Sequence, residues 1–140
     1  MEFKNISLFN PRECISGKIM RINRITGNIF RTYLAPFKIT DSQLSILFVL
    51  TKAGELTQKQ LSDFIHIEKS TLNRNLNRLL DRNYITKQHF PLIEITFEGK
   101  VFVEKIIPEW EKAMTEIRSV LGNEGEEAIN TIHQKLTKKQ

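Results

Sequence analysis

The feature that most constrains this chain is the stretch IEKSTLNRNLNRLLDRNYI, which runs from residue 67 to residue 85. Leucines recur there at three- and four-residue spacing, which predicts a helix with one apolar stripe formed by Leu72, Leu76, Leu79 and Leu80. The remaining positions are mainly Ser, Thr, Asn and Arg, whereas Glu and Lys dominate an ordinary solvated helix face. Each of the three asparagines inside the predicted helix, Asn73, Asn75 and Asn77, costs about half a kcal/mol in helix propensity. A merely solvated face is the simpler alternative, but the asparagines favour a face that binds something.

Capping signals divide the rest of the chain into helices. A capping residue is followed three positions later by Glu or Gln in segments that begin at Asn10, Thr40 and Thr57. Glycines at positions 54 and 122 are expected to end helices, and Asn83 can adopt the left-handed conformation of a helix end. Two strand-like runs surround Pro91. The predicted order is four helices, a hairpin and two helices, which is a mainly α chain with a small β hairpin.

Two short helices followed by a hairpin are typical of a winged helix-turn-helix, in which the second helix lies in the major groove of DNA. If the leucine stripe faces the core, Ser70, Arg74 and Asp81 point away from it. Arginine and asparagine can make paired hydrogen bonds to guanine and adenine edges. Hydroxyls and amides at the start of this helix also suit phosphate binding. The pattern therefore predicts a DNA-reading helix.

The charge of the chain agrees with an anionic partner. The formal net charge is +5 and the sequence pI is about 9.4. The excess is concentrated, because residues 1–39 carry seven Lys or Arg against two acids and residues 66–97 carry five against three. A single cysteine, no signal-peptide pattern and no long apolar run predict a cytoplasmic protein without a membrane segment.

No pattern in the sequence supports an enzyme. There is no glycine-rich phosphate loop and no nucleophile elbow. The three histidines, His66, His89 and His133, are scattered without the spacing of metal ligands. We therefore expect no catalytic site, no cofactor and no metal.

The segment from Ile39 to Ile85 resembles the central part of the MarR (multiple antibiotic resistance regulator) family of bacterial transcription regulators. The matching motifs are T-x-x-Q-x-x-x-L, LTQ-x-x-L, K-S-T-L-N-R followed by R-N-Y-I, and I-E-I-T-F-E-G-K. The resemblance covers roughly residues 10–138 and is strong over 40–100. It implies a dimer that binds pseudo-palindromic double-stranded promoter DNA, usually as a repressor relieved by a small ligand or an oxidant.

The resemblance, together with residue chemistry, predicts a set of DNA-binding positions: Thr40, Thr57, Gln58, Lys69, Ser70, Thr71, Asn73, Arg74, Asn77, Arg78, Lys87 and His89. The chain departs from the family at the wing. The family wing usually carries an Asp-x-Arg tip that reaches the minor groove, whereas TKQHFPLIEI is shorter and has no arginine. Specificity is therefore expected to depend mainly on the recognition helix.

The family layout implies an N-terminal dimerisation helix in 1–39, a DNA-binding lobe in 40–98 and C-terminal dimerisation helices in 99–140. A winged helix needs only about 60–80 residues for its own core, so the terminal apolar stripes need a partner. The predicted two-fold interface contains Ile15, Ile19, Ile22, Trp110, Met114, Ile117, Leu121, Ile129 and Ile132. Packing of these residues within one chain is the alternative.

Two regulatory sites are implied by the resemblance. A pocket for a small aromatic effector would lie near Phe30, Tyr33, Phe37 and Phe48, although each of these is also a candidate core residue. Cys14 lies where some relatives carry an oxidant-sensing cysteine, while a buried apolar cysteine is the commoner case. The alternative function is a winged helix that binds another protein, since fold alone does not fix function.

Overall fold

A computed structural model describes residues 1–138 of the chain. It contains six α-helices, which we number in chain order: α1 Lys4–Leu8, α2 Ile15–Leu34, α3 Asp41–Ala53, α4 Gln58–Ile65, α5 Lys69–Asp81 and α6 Phe97–Lys138. Three strands follow the same rule: β1 Glu55–Thr57, β2 Ile85–Thr86 and β3 Leu92–Ile95. The mainly α fold with a small sheet agrees with the sequence prediction.

Local chemistry sets most of these boundaries as predicted. Both α3 and α4 begin with complete capping boxes. In each box a Thr side chain accepts from the backbone N–H of the Gln three residues later, and that Gln side chain accepts from the backbone N–H of the Thr. The threonines are Thr40 and Thr57. Gly54 ends α3 at φ +83°, and Asn83 follows α5 at φ +61°. These positive φ values explain why glycine and asparagine stand there.

The N-terminal region differs from the prediction in two ways. The capping residue Asn10 does not start the long helix, because its side chain accepts from the backbone of Arg12 and caps a separate 3₁₀ turn, Pro11–Glu13. The chain is extended at Cys14, and α2 begins only at Ile15. The short helix α1, which precedes this turn, was not anticipated from the sequence.

The sheet has three antiparallel strands in the order β1-β3-β2. Strands β2 and β3 form the predicted hairpin, with Ile85 opposite Ile95. The prediction missed β1, which pairs Leu56 with Ile93 on the other edge of β3. A strand of three residues has too short an alternation to be read from sequence, and its pairing with a distant strand is a tertiary event.

The chain forms two compact units. The first, which we call the lobe, is Tyr33–Lys112, and the second, the terminal unit, is Met1–Thr32 together with the chain from Ala113 onward. The core of the lobe collects fully buried side chains from its helices and from β3, namely Ile46, Leu47, Leu50, Leu61, Leu76, Leu79, Ile93 and Ile106. The leucine stripe of α5 is thus turned inward as predicted.

A single arginine ties the segment before α3 to the end of α5 inside the lobe. The Arg82 guanidinium donates to the backbone carbonyls of Lys38 at 2.8 Å and Phe37 at 3.1 Å. It also lies over the rings of Tyr84 and Phe102, at 4.8 and 5.0 Å from their centroids. A planar guanidinium can donate and stack simultaneously, which lysine cannot do.

Apolar side chains of the terminal unit are largely exposed in the single chain. Their exposed fractions reach 74% at Ile15, 61% at Ile25 and 78% at Val120. The long helix α6 is interrupted at Gly122, whose φ of 67° and ψ of 179° separate two helical segments, as the sequence predicted. None of the helices in residues 1–138 is long and apolar enough to cross a bilayer.

Candidate nucleic-acid interface

Every exposed residue of α5 is polar or charged. These residues are Lys69, Ser70, Asn73, Arg74, Asn77, Arg78 and Asp81, while Leu72, Leu76 and Leu79 are buried. The exposed positions recur every three or four residues, so they share one side of the helix. This face offers guanidinium, amide and hydroxyl groups, which are the groups that pair with base edges and phosphates.

Two side-chain hydrogen bonds order this face before any partner is present. The Gln58 amide Nε2, at the start of α4, donates to Oδ1 of Asn73. The Arg74 Nη2 donates to the Thr71 hydroxyl at 3.2 Å. The first bond uses one lone pair of the Asn73 oxygen and leaves its two N–H donors for another acceptor. Held rotamers lower the entropy that binding would otherwise lose.

Asn75 has a structural role that the sequence did not reveal. Its Nδ2 donates to the Thr71 carbonyl at 3.1 Å, and its Oδ1 accepts from Gln43 Nε2 at 3.4 Å. Gln43 is 4% exposed, and it also completes the capping box of α3. The position of Asn75 beside Leu76, at the edge of the apolar stripe, was the available signal. The base-reading interpretation of the asparagines therefore applies to Asn73 and Asn77 only.

The two predicted threonines lie at helix starts, where they act as caps. The Thr40 hydroxyl accepts from the backbone of Gln43 at 3.2 Å, and the Thr57 hydroxyl accepts from the backbone of Gln60 at 3.2 Å. Each bond satisfies one of the backbone N–H groups at the positive end of the helix dipole. A phosphate at either end would meet backbone N–H groups held in place by the cap.

The wing carries a hydrogen-bonded cluster of a histidine and two glutamates. His89 Nδ1 lies 3.0 Å from Glu94 Oε1, and Glu94 is directly opposite Glu55 in the β1–β3 ladder. The hydrogen bond from His89, followed by that with Glu55, lowers the pKa of Glu94. The same contact with Glu94, with a smaller contribution from desolvation, raises the pKa of Glu55. His89 is thus engaged within the wing, while Lys87 is half-buried.

The predicted dimerisation residues fall into two groups. Eight of them lie in the terminal unit. Six of these are exposed, namely Ile15, Ile19, Ile22, Leu121, Ile129 and Ile132, and the exposed fraction is 74% at Ile15 and 44% at both Ile22 and Ile132. The other two, Met114 and Ile117, are half-buried. Trp110 instead belongs to the lobe, where its ring meets Phe48 edge to face at 5.6 Å. Part of the surface of Trp110 is therefore used inside the chain.

Two of the aromatic residues predicted near an effector pocket, Phe37 and Phe48, pack on other aromatic rings. Phe37 packs edge to face on Phe102 at 6.0 Å, and Phe48 packs on Trp110. Tyr33 is half-buried in the lobe, while Phe30 lies in the terminal unit. Ring pairs of this kind contribute about 0.5–1.5 kcal/mol beyond their buried area, so core packing explains Phe37 and Phe48.

Cys14 is exposed at the junction between the 3₁₀ turn and α2. Its Sγ accepts from the backbone N–H of Gly17 at 3.3 Å, which places the sulfur over the first turn of the helix. Within residues 1–138 no three His, Cys, Asp or Glu side chains converge as a metal site would require.

Comparison with known proteins agrees with this geometry. Residues 37–91 match the model of the MarR family. The multiple antibiotic resistance protein MarR of Salmonella typhimurium is 27% identical over 104 residues, which cover 70% of this chain and 72% of that protein.

Solved structures share the fold over most of their length. A mutant MarR from E. coli complexed with operator DNA superposes with a TM-score of 0.79 at 20% identity, over 92% of this chain and 97% of that one. NadR in complex with 4-hydroxyphenylacetate gives a TM-score of 0.79 at 25% identity, over 89% and 96%.

The family match covers the segment that contains the capped helices α3 and α4, the polar face of α5 and the wing tip. The structural neighbours extend the likeness to the flanking helices. Over residues 37–91 this chain is similar to the MarR family of transcriptional regulators.

Proposed function

We propose that this protein is a dimeric, sequence-specific DNA-binding repressor that reads its operator through α5. The exposed face of α5 carries this proposal, because its seven exposed residues are all polar or charged. A helix that docked on another protein would present aromatic or aliphatic anchors there. The alternative of a protein-interaction module is therefore disfavoured.

Two further observations support the assignment of individual contacts. Arg74 and Arg78 would pair with guanine edges, and Asn73 and Asn77 with adenine edges, because these side chains are exposed on one face of α5. The helix starts at Thr40 and Thr57 are suited to phosphates, which fix the register of the protein on DNA. A neighbour of the same fold was solved with operator DNA, which supports the same use of the fold here.

Dimerisation is the second part of the proposal. The exposed apolar residues of the terminal unit would be covered by a second copy, and a two-fold dimer would place two α5 helices about one turn of DNA apart. Half-sites at that spacing would form a pseudo-palindromic operator. Repression would then follow from blocking the promoter.

The proposed signal that changes DNA affinity is a small aromatic acid or an oxidant. NadR, which shares the fold, was solved with 4-hydroxyphenylacetate. The exposed thiol of Cys14 is accessible to oxidants, and thiolates oxidise reversibly to sulfenic acids or disulfides. Operator binding measured with added 4-hydroxyphenylacetate, and separately after hydroperoxide treatment, tests both; unchanged affinity in each case would contradict this part.

The first experiment measures binding of the full chain to the DNA upstream of its own gene and to random duplex, at several salt concentrations. We expect discrimination of about 10³-fold or more with a steep salt dependence.

Arg74→Ala should weaken operator binding by about 1–3 kcal/mol and relax specificity at one position. Lys105→Ala, which removes an exposed positive charge from α6, is the control and should leave discrimination intact. Equal, weak binding to both DNAs would contradict the proposal.

A further inference from the structure

A hydrogen bond between two amide side chains joins the two helices of the helix-turn-helix. The Gln58 Nε2, in the first turn of α4, donates to Oδ1 of Asn73 on α5, which is 15 residues further along the chain. Gln58 is half-buried, whereas Asn73 is exposed on the polar face of α5. Asn73 is therefore the member of the pair that a partner of this face can contact.

The fold holds the two helices in a fixed relation on both sides of the turn between them. Leu61 of α4 and Leu72 of α5 are 0% and 1% exposed in the same core. The Ser62 hydroxyl donates to the Ile67 carbonyl at 2.8 Å, which closes the turn. The spacing of the two amides is therefore set by the core of the lobe, and their bond forms in the free protein.

The bond determines which way the Asn73 amide faces. Only the amide oxygen of an asparagine can accept from the Gln58 Nε2, so Oδ1 is directed toward α4 by one of its two lone pairs. The second lone pair and the amide N–H groups stay available. Together they match the N6 donor and the N7 acceptor of adenine.

Asn77 provides a comparison within the same helix. It lies one turn after Asn73 and is also exposed, but within residues 1–138 its amide has no side-chain hydrogen-bond partner. An amide without such a bond can rotate by 180° and exchange its donor and acceptor. The two asparagines therefore differ in how firmly their orientation is fixed before DNA binds.

We propose that Gln58 is a specificity-determining residue that acts through Asn73 and holds its amide in the orientation that pairs with adenine. This inference rests on the proposed function. It replaces the direct DNA contact that the sequence predicted for Gln58 with a positioning role. Guanine would place its O6 acceptor against the Asn73 Oδ1, and two acceptors repel, so the held amide disfavours guanine at the same base pair.

The test measures the affinity of the wild-type chain and its variants for the operator and for every single base-pair substitution of it. Asn73→Ala identifies the base pair that Asn73 contacts, because the preference there should disappear. At that pair the wild type should prefer adenine by about tenfold or more, and Gln58→Ala should reduce this preference to about threefold or less. Lys59→Ala, at the neighbouring exposed position of α4, is the matched control and should keep every base preference.

Gln58→Glu keeps the shape of the side chain and removes its donor. An ionised carboxylate only accepts hydrogen bonds, so it would bind the Asn73 Nδ2 and turn Oδ1 outward. The adenine preference should then fall at least as far as with Gln58→Ala. The added negative charge should weaken binding to all sequences equally, which separates its effect from a change in preference.

A double variant separates positioning from direct contact. In the Asn73→Ala background, Gln58→Ala should change no further base preference. A new loss in that background would show that Gln58 contacts a base itself and would overturn the positioning role. An adenine preference that survives both Gln58→Ala and Gln58→Glu would overturn it as well, while the regulator would stand.

A measurement without DNA keeps this inference distinct from the proposed function. An NMR scalar coupling between the Gln58 Nε2 and the Asn73 Cγ should be detectable in the free protein and absent from Gln58→Glu. Its absence from the wild type would overturn the inference alone. A wild-type chain that binds all sequences equally would overturn the proposed function, and the positioning role of Gln58 with it.

Discussion

The lobe and the terminal unit both contain amphipathic helices, but the apolar stripes are buried in the lobe and exposed in the terminal unit. In the lobe the apolar stripes meet one another, so that Leu47, Leu50 and Leu76 are each 0% exposed. In the terminal unit the same kind of spacing leaves Ile15 at 74% and Ile132 at 44% exposed. Helical periodicity therefore predicts that an apolar stripe will be buried, but it does not show whether the same chain or a partner buries it.

The physical reason for the difference is the number of elements that surround each stripe. In the lobe, α5 is enclosed by two other helices and a sheet, which together remove its leucines from water. Each fully buried leucine contributes about 1.5–3 kcal/mol relative to an exposed one. The stripes of the terminal unit would gain a comparable contribution per side chain only by association. The lobe should thus be stable in itself, and the terminal unit should depend on protein concentration.

The largest effect is expected for a core truncation in the lobe. Leu76→Ala should lower the free energy of unfolding by about 2–5 kcal/mol, because it leaves a cavity in the packed interior. Urea unfolding at two protein concentrations measures this loss, which should be the same at both. Leu136→Ala, at a position 55% exposed in α6, is the matched control. Its effect should be smaller and should vary with concentration; identical behaviour of both variants would break the comparison.

A charge in the terminal unit should act on association. Ile132→Asp should weaken the dimer by about 10²-fold or more, because each copy of the substitution removes about 1.5–3 kcal/mol of apolar burial and a two-fold interface contains it twice. Sedimentation equilibrium measures the dissociation constant. Thr131→Asp introduces the same charge at the neighbouring exposed position and should change it little. A stable wild-type monomer at micromolar concentration would refute the dimer.

Removal of the arginine contacts should cost the lobe less than a core cavity. Arg82→Ala loses two hydrogen bonds to backbone carbonyls and the stacking on Tyr84 and Phe102, so we expect a loss of about 1–3 kcal/mol in unfolding free energy. Arg82→Lys should recover part of this, since lysine keeps the charge but not the planar fork. Thermal denaturation of the wild type and the two variants gives their order of stability. A lysine variant as stable as the wild type would show that the planar guanidinium is unimportant.

The smallest effect is expected for the ionisation of Glu94 in the wing, which changes at acidic pH. A lowered pKa means that Glu94 contributes stability above its unfolded value, near 4.5, and that this contribution is lost as pH falls through the folded value. The raised pKa of Glu55 acts in the opposite sense. His89→Ala should therefore raise the pKa of Glu94 toward its ordinary value, which an NMR titration of the Glu94 carboxyl carbon detects. Lys87→Ala should leave that titration unchanged; the reverse result would contradict the geometry of the wing.

Much of the lobe could be predicted because its signals are local. Capping boxes at Thr40 and Thr57, the left-handed residues Gly54 and Asn83, and the leucine stripe each involve residues within about four positions of one another. At these positions the local signals agree with the tertiary structure. The same locality explains the correct placement of the break at Gly122.

The errors occur where distant contacts decide the outcome. Strand β1 exists because it pairs with β3, which lies more than thirty residues away in the chain. The hydrogen bond between Gln43 and Asn75 joins residues 32 positions apart, so the sequence did not reveal the structural role of Asn75. The error at Asn10 is an exception with a local cause, because a 3₁₀ turn over Pro11–Glu13 satisfied the capping side chain before the helix began.

The sequence by itself determined that α5 has a leucine side and a hydrogen-bonding side, because periodicity and residue chemistry are written in consecutive positions. Its motifs, concentrated in residues 40–100, also indicated the similarity to the MarR family. Only the tertiary structure decided which polar side chains form hydrogen bonds within the chain, as Asn75 and Arg82 do, and which residue is exposed at the tip of the wing. Burial and hydrogen-bond partners arise from the meeting of segments far apart in the chain, and local patterns do not contain that information.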